Sequence, residues 1–223
     1  LRRWAQAYPD IGFGVVLPRV VWDRELPRLR RELEAARQAG VTQALLGPIG
    51  QLPLARSFGL IPRGDFGLGL TNDETAAELA RLGFASATAS FESRLAQIRD
   101  LSKPLDLELL VYGRLPLMLM EHCILRNRGQ GCHCQDKPQS LGDRKGEHFP
   151  VESAWGCRNE LFNAKPLWLA DKTDWRTAGA AYARLAFLRE GPGECARVFR
   201  AYREGAGEPL RAFTRGLYYR GVE

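Results

Sequence analysis

The sequence predicts an α/β fold: a partial (β/α) barrel of the TIM type, with a cysteine-rich insertion and a C-terminal α/β segment. Between residues 11 and 113, short apolar runs alternate with amphipathic helical patterns, and the loops between them are short. Strands joined through a helix run parallel, because a parallel pair needs a crossover connection. A repeat of roughly 20 to 25 residues suits a barrel better than an open dinucleotide-binding sheet, and no G-x-G-x-x-G leads into a helix.

Five apolar runs are predicted to be the parallel strands. In chain order they are IGFGVVLP (11–18), VTQALLG (41–47), GDFGLGL (64–70), FASATAS (84–90) and DLELLVYG (106–113). Five strands are too few to close an eight-stranded barrel. Either later elements complete the barrel, or its first strands lie outside this sequence.

Helices are predicted from apolar spacing and capping residues. The first begins at Asp23 as N-cap and ends before Gly40, and a later one is capped by Thr71 or Asn72. Further helices are predicted in QLPLARSFG (51–59), FESRLAQIRDL (91–101), DWRTAGAAYARL (174–185) and GECARVFRAYREG (193–205), with a strand LAFL (185–188) before the last. The chain is thus divided into a barrel portion (1–120), a cysteine-rich segment (121–172) and a helix–strand–helix segment (173–223) that completes the same domain.

Composition favours a cytoplasmic protein with a weak preference for polyanions. The 223 residues carry a net charge of +6, which favours partners such as RNA, although the basic residues form no continuous block. No run of about 18 apolar residues occurs, so no membrane span is expected. The first residues have no apolar signal-peptide core, and the chain does not begin with Met, so we expect a piece of a longer protein.

Four cysteines form the most specific pattern in the sequence. Cys123, Cys132, Cys134 and Cys157 follow the spacing C-x8-C-x-C-x22-C. Four thiolates complete either a tetrahedral zinc site or the ligand set of a [4Fe–4S] cluster. Structural zinc sites usually pair cysteines in C-x2–4-C turns, so this irregular spacing favours the cluster. Cys195 lies on an amphipathic helix and is interpreted as a packing residue.

Polar residues near the predicted strand ends are candidates for catalysis. Tyr112 and Arg114 end the fifth strand, and Arg114 could hold a carboxylate or phosphate. Glu92 follows the fourth strand and is either a general acid or base or a carboxylate in the first turn of a helix. His122 precedes a cysteine and is either a proton donor or an exposed loop histidine. Asp65 is interpreted as a turn cap.

Several blocks of the sequence are distinctive: LELLVYGRLPLMLMEHC (107–123), GCHC (131–134), LGDRKGEHFPV (141–151), GCRNELFNAKPLWLADK (156–172), FTRGLYYRGVE (213–223) and the earlier 64–92. Together they resemble the collagenase-like peptidase U-32 family, in particular the C-terminal part of its long members. Relatives often have Pro before the glutamate, whereas this chain has Phe91 before Glu92.

The resemblance implies a [4Fe–4S] cluster on Cys123, Cys132, Cys134 and Cys157. It also implies oxygen-independent hydroxylation of RNA bases, such as a 23S ribosomal RNA cytidine or a transfer RNA uridine, or of ubiquinone precursors. A prephenate-like molecule would donate the oxygen, and RNA and the rest of the longer chain would be the partners. The ribosomal RNA branch is the nearest. Arg114 would then orient an anionic group, and Glu92 or His122 would move protons.

Two other functions stay open from the sequence. The family name suggests a peptidase, but the sequence shows no Ser–His–Asp, H-E-x-x-H or aspartic-dyad motif, and four thiolates on zinc would leave no open coordination position. A zinc-stapled module that binds RNA or a protein partner is the second alternative.

Overall fold

The computed structural model describes residues 2–126, 138–205 and 207–220. The described chain falls into two compact units. The first comprises 2–109, 178–182 and residue 220, and the second comprises 110–177 and 183–219 apart from the gaps. The three-part division at residues 120 and 172 stays a prediction. Cys132 and Cys134 lie outside the described residues.

The described elements are six α-helices and eleven strands. The helices are α1 (Arg2–Ala7), α2 (Leu26–Gln38), α3 (Leu52–Ser57), α4 (Asp73–Arg81), α5 (Leu95–Asp100) and α6 (Pro192–Glu204). The strands are β1 (Gly14–Val16), β2 (Gln43–Leu46), β3 (Ile61–Gly64), β4 (Ser86–Thr88), β5 (Asp106–Gly113), β6 (Pro116–Met120), β7 (Gln139–Gly142), β8 (His148–Ala154), β9 (Arg158–Phe162), β10 (Leu167–Trp168) and β11 (Tyr182–Ala186). Within the described ranges no helix is long and apolar enough to cross a membrane.

The first unit is built on a curled, half-barrel sheet of parallel strands. Strands β1 to β5 lie side by side in chain order, and each pair is parallel. Helices α2 to α5 lie between successive strands in the chain, as the crossover argument requires. The expectation of an α/β fold with a partial barrel is therefore confirmed, while its assignment to the TIM type stays a prediction.

Burial alternates along β2 and follows one stripe of α2. In β2, Ala44 and Leu46 are fully buried while their neighbours are half-exposed. In α2, Leu29 and Leu33 are four residues apart and both buried, which places them on one helix face. Apolar residues at these two periods build the core of the first unit.

The third strand differs from its prediction. The glycine-rich run 64–70 was expected to be a strand, but β3 ends at Gly64 and a 3-10 helix, Phe66–Leu68, follows. The Asp65 carboxylate accepts a hydrogen bond from the Phe66 backbone N–H at 2.9 Å, and Gly69 adopts a positive φ of 65°. These two features end the extended chain, and the interpretation of Asp65 as a turn cap is confirmed.

The predicted N-cap is confirmed for one helix and wrong for another. Asn72 caps α4, since its side chain accepts from the Thr75 N–H at 2.9 Å. Asp23 is not an N-cap, because it begins a 3-10 helix, Asp23–Glu25, that precedes α2. The carboxylate of Glu25 instead accepts from the Trp22 N–H at 2.8 Å, which holds the start of this turn.

The prediction of a helix over 174–185 is wrong. A 3-10 helix covers Asp174–Thr177 and strand β11 begins at Tyr182. Gly179 has a φ of +77°, which a helix does not allow, and the Ala181 N–H donates to the Leu107 carbonyl at 2.8 Å. The β-type hydrogen bond outweighs the helix propensity of the alanines.

A four-stranded antiparallel sheet dominates the second unit. Its strand order is β6, β9, β8, β7, and every neighbouring pair is antiparallel. None of the strands predicted from the sequence coincides with these four, so this sheet was missed. The end of β5 also belongs to this unit, where Tyr112 pairs with Trp168 of β10.

An aromatic cluster fills the core of the second unit. The ring of Tyr202 lies 5.6 Å from Trp168, 5.9 Å from Trp175 and 6.3 Å from Tyr112. The Tyr202 hydroxyl donates to the Val111 carbonyl at 2.6 Å and accepts from a backbone N–H at 2.7 Å. Burial raises the pKa of Tyr202 well above its usual range. Edge-to-face rings and a satisfied hydroxyl make this a fixed core.

An ion pair between Asp171 and Arg215 predicts acid-dependent stability of the second unit. Two guanidinium nitrogens lie 2.6 Å from the two carboxylate oxygens, and hydrogen bonds from Arg215 lower the pKa of Asp171. As the pH falls through about 4, the Asp171 carboxyl takes up a proton in the unfolded chain before it does so in the folded chain. The stabilisation by the ion pair therefore declines, and it is lost as the pH falls through the pKa of Asp171 in the folded protein. We expect Asp171→Asn to cost about 1 kcal/mol at pH 7 and much less near pH 2.

Urea unfolding of the wild-type and Asp171→Asn proteins between pH 2 and 7 measures this difference. An equal difference in unfolding free energy at every pH would contradict the role of the Asp171–Arg215 ion pair.

Candidate metal centre

Two of the four predicted cysteine ligands lie at the same end of one strand pair in the second unit. Strands β6 and β9 are antiparallel, and Met120 at the end of β6 pairs with Asn159 near the start of β9. Cys123 comes three residues after β6, and Cys157 comes directly before β9. The sheet register therefore places two cysteines that are far apart in the sequence at the same end of this strand pair.

An ion pair ties the two cysteine-bearing segments together. The Arg158 Nε donates to Glu121 Oε2 at 2.5 Å, and its Nη2 donates to Oε1 at 3.2 Å. The third nitrogen, Nη1, donates to the Trp155 carbonyl at 3.0 Å. The Arg158 side chain is only 2% exposed, whereas Glu121 is 54% exposed. Arg158 directly follows Cys157, and Glu121 lies two residues before Cys123, so this pair fixes both segments.

The backbone at Cys157 adopts an uncommon conformation. Gly156 has a φ of 71°, and Cys157 has a φ of 65°, the one positive φ among the non-glycine residues described. A side chain in this region costs on the order of 1 to 2 kcal/mol, and such strain clusters at functional sites. The exposed thiol of Cys157 lies at this turn, while Cys123 is half-buried.

The donors described here suit a soft or borderline metal. Both thiols are free, and thiolates are the preferred ligands of zinc and of iron–sulfur clusters. The neighbouring Asn159 has a buried side-chain oxygen with no hydrogen-bond partner among the described residues, so the polar groups here are not saturated. No group of three or more His, Cys, Asp or Glu in 2–126, 138–205 and 207–220 could hold a metal, so a four-thiol site requires Cys132 and Cys134.

Arg114 and His122 belong to the same unit as these cysteines. Arg114 is half-buried, and its Nη1 donates to the carbonyls of Asn163, at 3.0 Å, and Ala164. Its Nε and Nη2 make no hydrogen bond to the described residues, so one edge of the guanidinium can still bind an anion. His122 is exposed, between Glu121 and Cys123.

Tyr112 and Glu92 have different surroundings. Tyr112 is 1% exposed, and its hydroxyl donates to Glu190 at 3.0 Å. Burial and the charge of Glu190 raise the pKa of Tyr112 above its usual range, which fits a core residue better than a proton carrier. Glu92 is exposed in the first unit, three residues before α5, so it is not in the first turn of that helix. Its role as acid or base stays a prediction.

The sequence analysis did not identify a polar network on the parallel sheet of the first unit. Arg63 donates to Gln43 and, at 2.8 Å, to Ser86, while Thr88 lies 2.8 Å from Glu108. The strand registers place these five residues on one face of the sheet. Their period of two, alternating with buried apolar residues, was the signal that could have revealed them.

Comparison with known proteins yields one distant structural neighbour. No family model matches the chain, and no curated protein matches it. A solved structure described as "The Structure of the U32 Peptidase Mk0906" is similar over 51% of this chain and 51% of its own length, with 17% identity and a TM-score of 0.38. The chain thus spans about half of that neighbour. A likeness this distant carries no conclusion about activity.

Proposed function

We propose that this chain is part of a U-32-type enzyme that holds a [4Fe–4S] cluster on Cys123, Cys132, Cys134 and Cys157. The reaction proposed is oxygen-independent hydroxylation of an RNA base, such as a 23S ribosomal RNA cytidine. What carries the proposal is the position of Cys123 and Cys157 at one end of the β6–β9 pair. Two unrelated cysteines that flank different strands have no local reason to share one end of a strand pair, whereas two ligands of one centre do.

The ligand spacing supports a cluster over zinc. A zinc knuckle takes two sulfurs from one tight turn, whereas here the two described cysteines come from separate segments. A cluster presents several metal atoms, so its ligands can approach from separate segments. The open, strained turn at Cys157 keeps its thiol available to such a group.

The protein's own residues would hold the ligands and bind the reactants. Arg158 and Glu121 hold the two segments in register. The edge of Arg114 that makes no hydrogen bond to the described residues would bind an anionic group, such as the carboxylate of a prephenate-like oxygen donor. His122 is the candidate proton carrier, because it lies directly beside a ligand. When bound, the cluster supplies the redox and Lewis-acid chemistry that these side chains lack.

Nucleoside analysis of RNA tests the proposed activity. In a strain that lacks the full-length gene, we expect one hydroxylated nucleoside to disappear from ribosomal or transfer RNA. The wild-type gene should restore it and the Cys157→Ser gene should not. Mass spectrometry of digested RNA measures this, with the Cys195→Ser gene as the matched control. Unchanged hydroxylation in the deletion strain would contradict the proposal.

A further inference from the structure

The hairpin that joins β7 to β8 ends in a tightly held basic tip, defined here as residues 143–147. The Asp143 carboxylate accepts from the Lys145 N–H at 2.8 Å and from the Glu147 N–H at 2.9 Å. The Asp143 N–H donates to the Glu147 carbonyl at 3.0 Å, and Gly146 has a φ of +79°. One acidic side chain therefore fixes the turn through backbone hydrogen bonds.

The two basic side chains of the tip are available to a partner. Arg144 and Lys145 are exposed and make no ion pair or hydrogen bond through their side chains within the described ranges. Several other exposed arginines form ion pairs with carboxylates: Arg28 with Glu32, Arg37 with Glu34, Arg81 with Glu78 and Arg99 with Asp100.

The acids of the tip do not cancel its positive charge. Asp143 is occupied by backbone N–H groups, and Glu147 lies 2.6 Å from the ammonium of Lys165. The net charge of this group is +1, summed over Asp143, Arg144, Lys145, Glu147 and Lys165. The two cations without an ion pair to the described residues, Arg144 and Lys145, lie at the exposed end of the hairpin. Such a feature favours an anionic partner.

We propose that this tip binds the sugar–phosphate backbone of the RNA substrate, with Arg144 and Lys145 each contacting a phosphate. The inference rests on the proposed RNA substrate. A guanidinium can bind a phosphate through two parallel hydrogen bonds, and an ammonium binds as a compact charge. A tip already held by Asp143 loses little conformational entropy on binding.

The position of the tip determines which part of the RNA it contacts. Strand β8 runs seven residues from His148 towards the turn that carries Cys157. At about 3.4 Å per residue, the tip and the cysteine end lie roughly 20 to 25 Å apart along this strand. The tip would thus bind phosphates several nucleotides from the modified base. It would contribute to affinity and not to the chemical step.

The salt dependence of RNA binding tests this assignment. The probe is a fluorescent, unstructured RNA oligonucleotide, titrated by anisotropy with the full-length protein at several salt concentrations. We compare wild type with the double variant Arg144→Gln and Lys145→Gln. The slope of log K against log salt should become about 1.4 smaller in magnitude, at roughly 0.7 per lost phosphate contact for single strands. Iron content and the far-UV spectrum should not change.

A matched double variant provides the control. Arg30→Gln and Arg31→Gln remove two adjacent, exposed arginines of α2 that also make no ion pair with the described residues. This control should keep the wild-type slope. Two results would overturn the tip assignment when the wild type binds RNA. In the first, the tip variant keeps the wild-type salt slope; in the second, the slopes of both double variants decrease by the same amount. If the wild type does not bind RNA, the proposed RNA substrate fails as well.

Discussion

Replacing Cys157 or Cys123 with serine is expected to abolish iron incorporation. A serine hydroxyl stays protonated near neutral pH and is a poor ligand for the soft or borderline metals that thiolates bind. Because both cysteines lie at one end of the β6–β9 pair, each loss removes a ligand from the same centre. Iron and acid-labile sulfide per chain, measured after anaerobic reconstitution, should fall from about four of each to near zero.

Cys195→Ser is the matched control for these variants. Cys195 is half-buried on α6, and its sulfur lies 3.6 Å from the Glu190 carbonyl, where a serine hydroxyl can make the same kind of contact. This variant should keep the wild-type iron content. A Cys157→Ser protein with full iron content, or equal losses in all three variants, would remove the assignment of these ligands.

Replacing Arg158 with methionine is expected to cost about 3 kcal/mol of unfolding free energy. The change removes a buried guanidinium that donates to both Glu121 oxygens and to the Trp155 carbonyl. Glu121→Gln should cost only about 1 kcal/mol, because Glu121 is half-exposed and its amide oxygen can still accept one bond. Both variants loosen the segments that carry the cysteines, so iron uptake at limiting iron should fall as well.

A positioning role for Arg158 differs from simple destabilisation in its rescue pattern. Arg158→Lys keeps the charge but loses the two-point geometry, so it should regain part of the stability and little of the iron affinity. Arg28→Met, which breaks the exposed pair with Glu32, should change stability by less than about 0.5 kcal/mol and leave iron uptake unchanged. Urea unfolding and iron titration measure both quantities. Wild-type iron affinity in the Arg158→Met protein would refute the positioning role.

Local patterns were sufficient for most of the first unit. Strand β5 coincides with its predicted bounds, because its apolar run is ended by Gly113. Asn72 was recognised because an N-cap acts on its own helix. The errors occurred where a few hydrogen bonds decide the outcome, as in the run 64–70, which was predicted to be a strand, and in the helix predicted across Gly179.

The second unit depended on contacts that a local pattern does not contain. The pairing of β6 with β9 joins segments that are separated by residues 121–157, and the Glu121–Arg158 pair links the same two parts of the chain. The sequence identified the cysteines by residue type and spacing. It could not identify Arg158 as their neighbour across the sheet or the left-handed backbone of Cys157.

The metal content of the wild-type protein tests the central claim most directly. Purified without oxygen, the full-length protein should be brown and contain about four irons and four sulfides per chain, with the broad visible absorption of an iron–sulfur cluster. A colourless protein with one zinc per chain would contradict the account, and the four cysteines would then form a structural zinc site.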